Sequence, residues 1–425
     1  MVSVSKLFHT EGLVALLLAL LCIGAYAPAL NNGFIADDFV ILQRIEILKT
    51  DPTYLFKIVP ENFRATSYVV FGLFKAVAGY DSRWFYPFTI LLHIINCVLF
   101  YKLLSRLDDK RYLPVAAAAM FAVFQAPQEA VMWLAAMNEG LQGFFILSSL
   151  LLWDKRRNFL SAICFSFALV SKESAVIMLL MLPLWQLACG RPPLPRQYFG
   201  FFVPAAIFSF VFLYTVSTNF MLTSRSYVIG FQAPIVIVKT LFRLTWPWLF
   251  IVIAVLLFSG FRPAVRRREL AAYAAWLAVP MLPYMFINYQ HHMPSRQLYM
   301  ASMVLVSLFA RLLYEIRSKQ LRMLFIAGFV IFNIRYLWYK KDPQFEERAI
   351  STTLLIQELK QHEPSRVLLI DFPYPQIEIA RAAALAAPGW QAELIDQGNK
   401  DSECATCLIL RWDPKNLRYT QNRGI

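Results

Sequence analysis

Charged residues are scarce in this chain. They make up 16% of its 425 residues, whereas 58% are hydrophobic. A soluble domain carries roughly 25% charged residues, so the composition excludes an ordinary soluble protein. Because the apolar excess is spread over most of the length, the sequence predicts a polytopic membrane protein.

Three further absences narrow the class of protein. Lys and Arg outnumber Asp and Glu by 41 to 27, but they form no single basic patch, which argues against nucleic-acid binding. No internal repeat or low-complexity segment is visible. No small-residue cleavage site follows the first apolar run, which is therefore predicted to remain as a membrane helix.

Cys404 and Cys407 lack nearby partners for zinc, and a local disulfide between them is left open.

Eleven apolar runs are long enough to be candidate membrane helices. They cover residues 13–30, 85–104, 113–127, 131–152, 159–171, 174–189, 199–216, 235–259, 270–288, 298–316 and 322–338. The sequence thus predicts an all-α polytopic membrane domain of about 11 transmembrane helices over residues 1–339.

The last segment, residues 340–425, has a different character. It is charged, and two short apolar stretches, 366–371 and 407–412, have the pattern of buried strands. Residues 344–361 and 376–387 are predicted to be helical. We expect a small α/β module that spans nothing.

Every second gap between the apolar runs is basic, which predicts the orientation of the chain. The basic gaps hold Arg106, Lys110, Arg111, Lys155, Arg156, Arg157, Arg191, Arg196, Arg262, Arg266, Arg267, Arg268, Arg317, Lys319 and Arg322. By the positive-inside bias these gaps and the N-terminus are cytoplasmic, and residues after about 339 are extracytoplasmic. Positive charge at Arg335, Lys340 and Lys341 runs against this orientation.

An acidic pair, Asp37 and Asp38, follows the first apolar run in a gap predicted to face outward. Charged groups near lipid are expensive and commonly mark a site for an ion, a proton or a substrate. Arg64 lies in the same loop, and two carboxylates with one arginine suit proton transfer on an anionic substrate. The alternative is a solvated loop with capping aspartates.

Further charges sit beside unusually short apolar runs. Residues 113–127 and 159–171 form about 20 Å of helix at 1.5 Å per residue, against a hydrocarbon core of about 30 Å. Glu129 and the pair Lys172-Glu173 are therefore expected in a water-filled recess that opens outward. Lys172 either neutralises Glu173 or holds an anion there. Arg296 precedes an apolar helix, and its fork suits a phosphate.

Two polar residues lie within an apolar run. His93 and Asn96 are three residues apart and share one helix face. This spacing favours an interhelical hydrogen bond over a ligand site.

Taken in order, these motifs resemble the GT-C superfamily of membrane glycosyltransferases. The ordered set comprises Asp37-Asp38, Arg64-x-Thr66, His93-x-x-Asn96, Pro127-x-Glu129-Ala-Val-x-Trp133, Lys172-Glu173 and Ser295-Arg296-x-Leu298-Tyr299. The set is most similar to the bacterial-type protein O-mannosyltransferase branch and covers roughly residues 10–300. The chain departs from that branch in having Gln125-Ala126-Pro127 and Arg64-Ala65, and no tetratricopeptide array follows.

The resemblance implies an inverting hexosyltransferase of the GT-C type. The donor would be a polyprenyl-phosphate-linked sugar, and the acceptor a hydroxyl of a protein, lipid or glycan on the outer face of a bacterial inner membrane. It implies catalytic roles for Asp37 as general base and for Asp38 and Glu129, donor phosphate binding by Arg64, Lys172 and Arg296, and substrate binding by His93, Asn96, Glu173 and Tyr299. No cofactor is certain, and a divalent cation (Mg²⁺ or Mn²⁺) at Asp37 and Asp38 is left open.

Two other classes of function compete with this one. A transporter or lipid flippase would use a proton-coupled acidic site inside its bundle. A non-catalytic assembly protein would keep the fold and tolerate substitution of the acidic pair.

Overall fold

The protein is described by a computed structural model, and most of the chain is helical. The described residues are 4–55, 64–107, 112–192, 195–214, 223, 230, 232–258, 267–287, 292–363, 365–374, 377–387, 389–395 and 407–422. The described helices of eight residues or more are α1 (Val4–Tyr26), α2 (Asp37–Thr50), α3 (Ala65–Ala78), α4 (Tyr86–Leu104), α5 (Tyr112–Val123), α6 (Met137–Asp154), α7 (Asn158–Leu169), α8 (Met178–Ala188), α9 (Phe199–Tyr214), α10 (Gln232–Thr245), α11 (Trp248–Phe258), α12 (Arg267–Met285), α13 (Tyr299–Tyr314), α14 (Lys319–Tyr336), α15 (Asp342–Gln361) and α16 (Ile377–Ala384).

The described parts of the eleven apolar runs are mostly helical, with residues 235–259 divided between α10 and α11, but the count of eleven spans is not confirmed. Six described helices are long and apolar enough to cross a membrane, and α10 and α11 make a seventh span if this pair, bent by 63°, crosses as one. The two short runs are short helices, since α5 and α7 have 12 residues each. At 1.5 Å per residue each is about 18 Å long, so their ends bring loop residues into the depth of the bundle.

Close packing at the centre of the bundle depends on small side chains. α5 packs against α1, α4 and α13. Its middle is a run of buried alanines, Ala116, Ala117, Ala118 and Ala119. In a membrane, small residues stabilise helix pairs by letting the two backbones approach. This contact fixes the positions of the loops at both ends of α5.

A single long helix joins the bundle to the C-terminal segment. α14 and α15 run on from Lys319 to Gln361 through a π-turn at Leu337–Lys341. The sequence-derived boundary between residues 339 and 340 falls within this helix. π-turns inside helices are often found at functional sites.

The C-terminal segment folds as an α/β unit, as predicted. The strands are β1 (Arg366–Ile370), β2 (Gln391–Ile395), β3 (Leu408–Asp413) and β4 (Arg418–Asn422), in the order β2-β1-β3-β4. β1 pairs in parallel with β2 and β3, and β4 pairs antiparallel with β3. The sequence predicted β1, β3, α15 and α16 but missed β2 and β4. Cys404 lies outside the described residues, and Cys407 takes part in a disulfide.

The α/β unit contacts the first loop of the bundle. α16 packs against α2, and the hydroxyl of Thr352 in α15 donates to the carbonyl of Phe34 at 3.3 Å. The unit therefore lies beside the segment that carries Asp37 and Asp38.

Candidate active site

The acidic pair lies where the loop after α1 enters α2. Ala36 has φ +42°, a region that residues with a Cβ rarely adopt. Asp37 is the first residue of α2 and its side chain is exposed, whereas Asp38 is fully buried. The turn therefore presents one carboxylate to solvent and encloses the other in protein.

Asp38 holds two loops together. Its Oδ2 accepts the N–H of Ile35 at 2.8 Å, and its Oδ1 accepts the N–H of Ala135 at 2.6 Å. Burial raises the pKa of Asp38 to about 8, although both N–H groups act in the opposite direction. Because Asp38 is enclosed and both of its oxygens accept backbone N–H groups, Asp37 is the carboxylate of this pair that is open to solvent. A divalent cation at the pair stays a prediction.

Two guanidinium groups lie over the ring of Trp133. The Cζ of Arg296 is 4.9 Å from the centre of its ring, and the Cζ of Arg348 is 4.6 Å from it. The indole Nε1–H donates to the carbonyl of Ile35 at 3.4 Å. Stacking on an aromatic face orients a guanidinium and leaves its edge N–H groups to bind anions. Trp133 thus aligns two cations beside the turn that carries the acidic pair.

Arg348 comes from α15, outside the region on which the resemblance rests. Its guanidinium also stacks on Phe345 at 5.4 Å and is close enough to Asp38 to interact with its charge. Within the described part of the chain it forms no ion pair. Arg348 is therefore a half-buried cation whose N–H groups can bind an anion.

Glu129 and Arg296, which are far apart in sequence, form an ion pair. The Arg296 Nη1 and the Glu129 Oε2 are 3.2 Å apart, and the same oxygen accepts the backbone N–H of Arg296 at 3.3 Å. The Glu129 N–H donates to the hydroxyl of Ser295 at 3.2 Å. The structure thus brings these two predicted site residues into direct contact, and a shared outward recess stays a prediction.

Lys172 pairs with Glu139, not with its sequence neighbour Glu173. Lys172 and Glu139 form a buried ion pair, and both are almost fully enclosed. The hydroxyl of Tyr284 donates to the other oxygen of Glu139 at 3.3 Å. A buried charge needs a direct partner, and for Lys172 this partner is Glu139, while the charge of Glu173 acts on Lys172 without an ion pair. Glu173 is half-buried nearby.

Arg64 lies beside Lys172. The N–H of Thr66 donates to the carbonyl of Val170 at 3.3 Å, and the Thr66 hydroxyl donates to that of Ser171 at 2.8 Å. These bonds bring Arg64 close enough to interact with the charge of Lys172. The Arg64 Nε is buried and has no hydrogen-bond partner in the described part of the chain. A buried unpaired donor of this kind is suited to an anionic ligand.

His93, Asn96 and Tyr299 form a network inside the bundle. The Tyr299 hydroxyl is 2.8 Å from the Nδ1 of His93 and accepts the Asn96 amide at 3.0 Å, and the same amide donates to the carbonyl of Gly140 at 2.9 Å. All three residues are at most 1% exposed. These contacts are the interhelical hydrogen bonds that the His-x-x-Asn spacing favours. A substrate-binding role for the three stays a prediction.

Lys341 and Tyr374 lie near the site and are not identified by the sequence motifs. Lys341 lies in the π-turn and is close enough to interact with the charges of Glu129 and Arg243. The Tyr374 hydroxyl donates to the carbonyl of Arg348. In the sequence, the basic residues around 340 stand out only because their positive charge lies on the predicted outer side. This position opposes the topology bias, and it is the one sequence feature that could have pointed to a site there.

Comparison with known proteins supports the fold. No family model matches the chain, and no curated protein sequence matches it. The crystal structure of ArnT from Cupriavidus metallidurans bound to undecaprenyl phosphate is similar, with a TM-score of 0.56 and 10% sequence identity over 91% of this chain and 86% of that chain. The chain therefore has an ArnT-like fold, and the O-mannosyltransferase subtype is not shown.

Proposed function

We propose that the protein is a membrane glycosyltransferase that moves a sugar from a polyprenyl-phosphate donor to an acceptor hydroxyl. The observation that carries the proposal is the exposed Asp37 at a turn that is bonded to Trp133, whose ring carries the guanidinium groups of Arg296 and Arg348. The fold adds support, since the ArnT structure with 86% of its length matched has undecaprenyl phosphate bound.

In the proposed reaction Asp37 is the general base. It takes the proton of the acceptor hydroxyl as that oxygen attacks the anomeric carbon of the sugar. The bond from this carbon to the phosphate oxygen breaks on the opposite side, and the electron pair leaves with the lipid phosphate. A single displacement of this kind inverts the anomeric centre.

The leaving phosphate needs positive charge that is already in place. Arg64 supports this role with its buried unpaired Nε, and Arg296 with its stacked guanidinium. The charge of Lys172 is neutralised by Glu139. The role proposed for Lys172 is therefore to help position Arg64 and Arg296 through its charge. Glu129 orients Arg296 through their ion pair.

The site is proposed to face the extracytoplasmic side. The charge alternation of the loops supports this orientation, with the transmembrane domain at residues 1–339 and the α/β domain at 340–425. Glu173 stays a proposed substrate contact at the edge of the recess.

The test is transfer from a radiolabelled polyprenyl-phosphate sugar by the purified chain. We expect Asp37→Asn to reduce transfer by at least 100-fold, in the range of general acid–base catalysis, with unchanged elution on gel filtration. The matched control is Asp51→Asn, which removes a carboxylate at the other end of α2. Near-wild-type transfer by Asp37→Asn would exclude the catalytic role.

One observation favours a second function. The buried pair of Lys172 and Glu139 resembles the intramembrane charges of proton-coupled transporters. That function predicts proton-dependent lipid or solute movement in proteoliposomes that Glu139→Gln abolishes, with no sugar released from the donor in any condition.

A further inference from the structure

A cluster of metal-ligating side chains lies in the bundle, apart from the acidic site. Cys22 belongs to α1, and His93 and Cys97 lie one turn apart on α4. One ligand atom from each residue lies within 4.8 Å of the other two. All three side chains are at most 1% exposed. Among the described residues this cluster is the one group of three or more His, Cys, Asp or Glu side chains close enough to share a metal ion, and all of its members are buried.

We propose that Cys22, His93 and Cys97 bind a zinc ion that joins α1 to α4. The two sulfurs are 3.7 Å apart, and the Cys97 Sγ is 3.8 Å from the His93 Nε2. In a tetrahedral zinc site with bonds of about 2.3 Å to sulfur and 2.0 Å to nitrogen, the edges are about 3.8 Å and 3.6 Å. Two edges of the cluster are therefore close to those of a bound site, and the third, between Cys22 and the His93 ring, is within 4.8 Å.

Charge favours a divalent ion in this place. Two thiolates and a neutral imidazole exactly balance Zn²⁺, and binding releases the two thiol protons. A neutral site avoids the large penalty of a net charge in the apolar interior. Monovalent copper would leave one negative charge, and Mg²⁺ or Ca²⁺ prefers oxygen ligands.

The surroundings of the cluster match the support that zinc ligands need. The other ring nitrogen of His93, Nδ1, is 2.8 Å from the Tyr299 hydroxyl, a contact that holds the ring with Nε2 toward the sulfurs. The carbonyl of Ala122 is 3.3 Å from Nε2. This carbonyl lies in the last turn of α5, where helix carbonyls lack an intrahelical donor. It is the group placed to take the fourth position.

The proposed role of the zinc is structural. α1 leads from Cys22 to the loop that carries Asp37, and α4 also borders that loop through Tyr86, whose hydroxyl donates to the carbonyl of Gly33 at 3.1 Å. A metal link between α1 and α4 would fix the relative position of the two helices that border this loop. This role replaces the predicted substrate contact of His93, whose ring is buried, and does not depend on the glycosyltransferase proposal.

The first test is the metal content of the full-length chain, purified in detergent without chelators. We expect about one zinc per chain, falling by at least tenfold in Cys22→Ser and in Cys97→Ser. The matched controls are Cys164→Ser and Cys189→Ser, which remove the other described free thiols and should keep the zinc. Zinc absent from the wild type, or equal in all five proteins, would overturn the proposal.

The second test does not depend on how the variants fold. Wild-type protein is stripped with a chelator and loaded with Co²⁺, and we expect thiolate-to-cobalt charge-transfer absorption. Chelation should also make two buried thiols newly reactive to a maleimide after mild denaturation. A spectrum without charge transfer, or a Cys22–Cys97 disulfide found by mass spectrometry, would contradict the site.

Discussion

At the scale of single residues, the two adjacent aspartates have different environments and therefore different expected roles. Asp37 is exposed at the start of α2, whereas Asp38 is fully enclosed and accepts two backbone N–H groups. One carboxylate is available for chemistry and the other holds the turn. The sequence pattern Asp-Asp treats them as equivalent, and only burial separates them.

This difference predicts that alanine substitution of Asp38 lowers the stability of the protein and that alanine substitution of Asp37 does not. Asp38→Ala leaves the N–H groups of Ile35 and Ala135 unpaired, at a cost of about 1–3 kcal/mol each. We expect a lower melting temperature in detergent for Asp38→Ala, and an unchanged one for Asp37→Ala. Equal melting temperatures for the two variants would contradict the structural role of Asp38.

The raised pKa of Asp38 predicts a pH dependence of stability. Its ordinary value is 3.8 and its value in the folded protein is about 8. Between these values the folded state keeps a proton that the unfolded state has lost, so stability falls as pH rises from about 4 to 8. Thermal unfolding measured across this range should show the decline in the wild type, and a flatter profile in Asp38→Asn.

Arg348 should matter for activity although no sequence motif marks it. Arg348→Gln removes a stacked cation near Asp38, and we expect transfer to fall roughly 10- to 100-fold. Arg348→Lys should recover little of it, because an ammonium cannot stack flat on Trp133 or donate as a fork. The control is Arg381→Gln, which alters another arginine of the α/β unit. Unchanged kcat and KM in Arg348→Gln would remove it from the site.

At the scale of elements, the loop before α2 is fitted closely against α15. A Cβ on Gly33 would lie 2.8 Å from the Thr353 Oγ1 and 3.1 Å from the Ala349 Cβ. Both of these residues belong to the helix that carries Arg348. The contact therefore links the position of the acidic pair to the position of this arginine.

Gly33→Ala is expected to separate the loop from α15 and to lower transfer. Overpacking of this kind costs about 1–3 kcal/mol. Adding Thr353→Ala removes the nearer clash and should restore part of the activity. Gly72→Ala is the control, since a Cβ there meets nothing within 4 Å. Activity lost equally in Gly72→Ala would show that the loss is unspecific.

The helices of the bundle were predictable from sequence because apolar runs in lipid must satisfy their backbone internally. β4 was missed because Arg418–Asn422 carries one aromatic residue among polar ones, and β2 because the apolar residues of Gln391–Ile395 form too short a run to show a strand pattern. In the candidate site, local motifs predict Asp37, Glu129 and Arg296. Arg348 and the partnership of Lys172 with Glu139 were not, since they depend on contacts between distant parts of the chain.

At the scale of the whole molecule, the orientation stays a prediction from loop charges. We expect a fusion of alkaline phosphatase after Asn422 to be active in bacterial cells, because that enzyme folds only outside the cytoplasm. A fusion after Arg157, in a basic gap, should be inactive. The reverse pattern would place the candidate site in the cytoplasm and exclude the proposed outer-face reaction.

Because α14 and α15 form one continuous helix, the number of residues between the bundle and Arg348 determines where the Arg348 side chain points. One residue inserted before Arg348 would turn this side chain about 100° around the helix axis, and four would return it to within about 40° while advancing it about 6 Å. Substitutions on the outer faces of Lys319–Gln361 are thus compatible with the site, whereas insertions and deletions are not. In this part of the chain the spacing is under stricter constraint than the side chains.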